Sequence, residues 1–201
     1  MDRWTKGYSQ EDLDRAQERY GLIFPPDLIA LLRDRQPACG YDWSTESPAI
    51  RKMLQWPFDL LQFDVENGFW WPDWGERPDT AEARGEILRE ALARAPQLIP
   101  IYAHRFLPGT PCESGNPVFS MYGFDTIYYG SDLADYCERE FDGNRAADIR
   151  PRRHIAFWSD IVEGFDQAYA FYAQREENRA AIEALRDRLR GTPPEQGSPQ
   201  P

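Results

Sequence analysis

The chain predicts an α+β fold: a central, mostly antiparallel sheet with flanking helices and a long C-terminal helix. Three observations predict it. Helical patterns fill both ends, whereas Leu98 to Gly130 holds short runs rich in aromatic and β-branched residues. Gly123-Phe124-Asp125 separates two of those runs, the signature of an antiparallel hairpin. The runs are not divided by regular crossover helices, which argues against a doubly wound parallel sheet.

Ser9 caps a first helix with Asp12 at its third position; the helix reaches about Arg19, and Tyr20-Gly21-Leu22 ends it. Phe24-Pro25-Pro26-Asp27-Leu28 opens a second. Pro26 suits a first turn, Asp27 suits the helix dipole, and Leu28, Leu31 and Leu32 form an apolar face before Gln36-Pro37 stops it. Residues 40–63 carry mixed signals. Gly40 to Trp43 admits a short strand and Ile50 to Leu54 a short helix. From Trp56 to Trp74, rings at Trp56, Phe58, Phe63, Phe69, Trp70, Trp71 and Trp74 interleave with prolines and acids. That mixture reads as an irregular loop packed through its own rings, where function tends to sit.

Asp79 or Thr80 starts the next helix, which runs to about Ala95 before Pro96. Leu98 to Ala103 reads as a strand whose Pro100 favours an edge or a bulge. His104 to Pro108 reads as its continuation, and Gly109 to Asn116 as a loop. Pro117 to Tyr122 and Thr126 to Gly130 form the hairpin. Ser131 caps a helix reaching about Phe141, with Asp132 and Asp135 in its first turn. Asp142 to Arg153 is a polar loop. Ser159 caps a long helix toward Arg190, with Ile161, Phe165, Tyr169 and Tyr172 on one face, and residues 191–201 read as a disordered tail. The expected organisation is a domain over 1–160, a C-terminal helix over 161–190 and that tail.

At 201 residues the chain can bury a core without disulfides or metals, and 14% aromatic content makes that core ring-rich. A net charge of −11 argues against nucleic acid and against an anionic membrane surface, and suits steering toward a basic partner. Cys39, Cys112 and Cys137 have no metal spacing and read as reduced thiols. The opening residues hold no apolar signal segment and no run of eighteen apolar residues occurs, so the expected location is cytoplasmic.

Reaction chemistry is sparse. There is no Gly-x-Ser-x-Gly, and no rule links Cys112 to His104. His104 and His154 lack a ligand partner at helical spacing, so no metal, cofactor or catalytic residue is expected. Glu76 and Arg77 read as an ion pair pinning the aromatic loop. Trp70, Trp71, Asp73, Trp74, Glu76 and Arg77 are the candidate partner-binding residues, since Trp anchors flanked by charge make interface hot spots. Tyr102, His104, Arg105, Glu113 and Asn116 are the candidates for a small-molecule pocket.

Taken in order, the segments Tyr20 to Leu28, Trp74-Gly75-Glu76-Arg77-Pro78, Leu98 to Arg105, Gly115 to Tyr122 and Asp125 to Tyr136 resemble the SUKH superfamily of Smi/Knr-type domains. The resemblance spans roughly residues 9–160. It implies an α+β fold and a non-enzymatic role. Many bacterial members are immunity proteins that neutralise a cognate toxin, often a nuclease; fungal relatives act as hubs in cell-wall signalling. The expectation is therefore a protein that binds a basic toxin, with two alternatives: a scaffold without a toxin, or a small-molecule binder or enzyme using the pocket near His104.

Overall fold

Ser9 starts the first helix, α1 (Gln10–Tyr20), by a reciprocal cap. Its hydroxyl accepts from the Asp12 amide at 3.1 Å, and the Asp12 carboxylate accepts from the Ser9 amide at 3.3 Å. Gly21 takes the left-handed turn that ends it, at φ 64°. α2 (Pro26–Asp34) opens on a proline whose missing N–H costs nothing at that position. β1 (Trp4–Lys6) and β2 (Arg35–Pro37) then pair as an antiparallel ribbon. The computed structural model describes residues 3–143, 149, 151 and 153–173.

Gly40 to Trp43 is not a strand, and the short helix expected over Ile50 to Leu54 is the start of a much longer one, α3 (Pro48–Glu66). That helix absorbs the first half of the ring-rich segment, so Trp56 to Glu66 is regular helix and not loop. Pro57 sits inside it and removes the N–H that would reach the Met53 carbonyl. Tertiary packing outweighs that loss. Ile50, Pro57, Leu61, Asp64 and Val65 are buried at helical spacing, and the Trp56 indole donates to the Met121 carbonyl at 3.2 Å. Asp64 is fully buried, and its carboxylate accepts from the Phe124 amide at 2.9 Å. α4 (Ala81–Arg94) follows, capped by Thr80, one of the two starts its sequence allows.

The main sheet runs β3 (Leu98–Tyr102), β4 (Arg105–Pro108), β5 (Val118–Ser120), β6 (Ile127–Gly130), every neighbour antiparallel. β4 does not continue β3; the chain reverses at Ala103-His104 and pairs back, with Ile99 opposite Leu107. Pro100 lies on the edge strand, next to a register shift before Tyr102. Alternation assigns the faces. Leu98, Phe106 and Phe119 join one core with α3 and α4, while Ile99, Leu107 and Val118 join the other with α1 and α2. The sheet is thus buried on both sides.

α5 (Leu133–Cys137) is capped by Asp132, one residue later than expected, because the Asp132 carboxylate accepts from the Asp135 amide at 2.9 Å. A π turn (Glu138–Asp142) extends it. α6 (Trp158–Ala173) covers the first core. Ser159 lies inside it, its hydroxyl accepting from the Ile155 amide at 2.8 Å. The expected course of this helix to Arg190, the tail over 191–201 and most of the loop over 142–153 lie outside the described residues. No helix among the described residues is long and apolar enough to cross a membrane.

Candidate functional site

The aromatic loop between α3 and α4 turns inward. Trp70 and Trp71 are each 8% exposed and belong to the core. This corrects their placement as surface anchors, and the cause is geometric. The Trp70 indole donates to the Gly75 carbonyl at 2.9 Å. Trp71 stacks on Phe124, with centroids 5.7 Å apart and planes 5° from parallel, and its ring edge rests on Gly164 of α6. Trp74, in the short 3-10 turn Pro72–Trp74, is half-buried against Trp70 and Phe124. What the loop shows to solvent is Pro72, Asp73, Gly75 and Glu76.

The expected Glu76–Arg77 ion pair does not occur among the described residues. Arg77 pins the loop by donating to the Val65 carbonyl at the end of α3, at 3.0 Å. Burial and the neighbouring Arg84 push its guanidinium pKa down. Trp71 thus joins the loop to α6. The loop exposes Asp73 and Glu76, and α6 exposes Asp160, Glu163 and Asp166. His154 bridges Asp160 at 2.9 Å and Glu163 at 3.4 Å. Among the described residues, Asp73, Glu76 and Asp166 have no ion-pair partner.

The five residues expected to share a pocket divide into two groups. Arg105 opens β4 and Pro108 closes it, about 10 Å away at roughly 3.3 Å per strand residue. Asn116 sits at the far end, fully buried, donating to the Pro108 and Pro111 carbonyls and accepting from Arg153 at 2.6 Å; Glu113 accepts from the same Arg153 at 2.6 Å. That group braces a loop.

Tyr102, His104 and Arg105 meet at the near end. The Arg105 guanidinium lies 3.6 Å from the centre of the Tyr129 ring and donates to Ser120 at 2.9 Å and to the His104 Nε2. Accepting at Nε2 requires a neutral ring. Burial and the adjacent guanidinium hold its pKa down at about 4. Glu140, from the π turn, completes the group, its Oε2 3.4 Å from the Arg105 Nε. Residue patterns placed Glu140 on a regular helix and gave no hint that a π turn brings it to Arg105.

A cleft of about 250 Å³ opens beside this group, and Tyr102 is the one predicted pocket residue in its wall. A larger concavity, about 630 Å³, lies elsewhere, between Leu54 and Phe58 of α3, Leu92 of α4, Leu98 and Trp158. Among the described residues no group of three His, Cys, Asp or Glu side chains is placed to hold a metal ion. No family model, characterised protein or solved structure matches this chain.

Proposed function

We propose that the chain is a non-enzymatic, cytoplasmic immunity protein of the SUKH type that binds and neutralises a basic toxin. The observation that supports this reading is an excess of exposed carboxylates on the aromatic loop and on α6, where Asp73, Glu76 and Asp166 stand without ion-pair partners among the described residues. The rings beneath hold the loop still. Trp70, Trp71 and Phe124 fix the loop before any partner arrives, which lowers the ordering cost of association. A net charge of −11 accelerates encounter with a basic partner and penalises an acidic one. The half-buried Trp74 is the one tryptophan of the loop left to make contact.

The test is rescue of growth. Each candidate toxin encoded beside the gene is expressed with the wild-type chain or with a folded Asp73→Lys, Glu76→Lys, Asp166→Lys variant. The wild type relieves arrest by one of them and the charge-reversed variant does not. Equal rescue by both would remove the proposed surface, and no rescue from any neighbouring product would sink the immunity reading.

A further inference from the structure

A groove of about 630 Å³ lies where α3, the end of α4 and the start of α6 come together. Its floor is built from the buried Pro57, Leu98 and Trp158, and its sides from the half-buried Leu54, Phe58 and Leu92. The sequence accounts for the hollow. Ala93 near the end of α4, and Ala95 and Pro96 just beyond it, are short side chains that leave open the space larger ones would fill. The Trp158 indole N–H already donates to the Pro96 carbonyl at 2.6 Å, so that ring has no donor left to offer. The volume falls within the roughly 300–1,000 Å³ usual for small-molecule sites, which are mainly apolar with a few polar groups that fix orientation.

A single charge stands in this wall. Arg89 is the only ionisable side chain lining the groove, in a chain whose net charge is −11. It has neither an ion pair nor a hydrogen bond among the described residues. Gly85, one turn earlier on α4, makes room for it: a Cβ there would lie 3.2 Å from the Arg89 Nη2, so the guanidinium rests along the helix. Its forked donors match the two oxygens of a carboxylate, and no acid lines the groove to repel one. An apolar hollow with one unmatched cation complements a molecule that has an apolar body and one anionic end. A cationic ligand would meet repulsion, and a wholly polar one would leave the apolar walls bare.

We infer that this groove binds a small aliphatic carboxylate, of the size of a medium-chain fatty acid, with its chain on Leu54, Phe58, Leu92 and Trp158 and its carboxylate on Arg89. Neither the loop carboxylates nor a protein partner takes part, so the site stands or falls apart from the toxin-neutralising reading.

Calorimetric titration of the full chain with octanoate, octanol and octylammonium is the test. Octanoate saturates one site per chain and binds about tenfold tighter than octanol, the difference one charge-assisted contact makes, and octylammonium binds weakest. Arg89→Gln lowers the octanoate affinity to that of octanol and leaves octanol unchanged. Ala93→Trp, at an exposed helix position where a large ring enters the groove without touching the core, abolishes binding of both. Both variants are first checked for the wild-type melting transition. No octanoate binding, an octanoate affinity no greater than that of octanol or octylammonium, or binding that survives both substitutions overturns the site. So does a dimer in native mass spectrometry that Ala93→Trp converts to monomer, because the groove would then hold a second copy of the chain.

Discussion

His104 shows how one residue's neighbours decide its chemistry. Its ring is neutral because partial burial and the adjacent Arg105 disfavour the proton, holding its pKa at about 4 against 6.5 in an unfolded chain. The unfolded state therefore takes up the proton first as pH falls. The stability that the neutral ring contributes is intact above about 6.5 and is lost as pH falls from there to about 4. One pKa unit carries about 1.4 kcal/mol, and solvent around the ring reduces the loss to on the order of 2 kcal/mol. Urea unfolding across that range will show a steeper decline in the wild type than in His104→Gln. Parallel pH profiles would mean that the ring is not held neutral. The tryptophans teach the complementary lesson. Composition flags Trp70 and Trp71 as important, but only the partners, the Gly75 carbonyl and the Phe124 ring, reveal that they serve the core.

At the scale of elements, the contact between the loop and α6 turns on Gly164. A Cβ there would lie 3.1 Å from the Trp71 ring edge. Alanine favours a helix over glycine by about 1 kcal/mol, but Trp71 is locked by its stacking on Phe124 and cannot give way. Overpacking of this kind typically costs about 1–3 kcal/mol, so Gly164→Ala is expected to be net destabilising by about 1 kcal/mol in thermal or denaturant unfolding. A stabilised variant would show that the loop is free to move off the helix.

Elements with strong local chemistry were legible in the sequence. The Ser9 cap, the Pro100 edge strand and the hairpin across Gly123 to Asp125 stand as read, and Thr80 is the cap of the two offered for α4. α3 was not, because Pro57 and its flanking rings imitate a loop while its buried positions repeat at helical spacing. The β3–β4 reversal was hidden too. It is made by Ala103 at φ 46°, a conformation usually given to glycine, and is held by the Tyr41 hydroxyl donating to the Ala103 carbonyl at 2.6 Å. The aromatic loop stands out by its composition, but Trp70 and Trp71 turn to the core while Asp73 and Glu76 stay exposed, and of the five residues expected to share a pocket only Tyr102 lines a cleft.

Across the whole molecule, an antiparallel sheet buried on both faces makes a rigid support that leaves function to the surface. An excess of carboxylates on such a support acts through long-range attraction, which salt screens within roughly 10 Å at 0.1 M ionic strength. The central claim is that the exposed carboxylates of the loop and α6 capture a basic protein. The most direct measurement is affinity capture from native lysate with the wild type and the Asp73→Lys, Glu76→Lys, Asp166→Lys variant side by side, at low and moderate salt, with the bound proteins identified by mass spectrometry. The account predicts one stoichiometric basic protein on the wild type at low salt, depleted at moderate salt and missing from the variant. Identical capture by both chains, or no basic protein on the wild type at low salt, would contradict it.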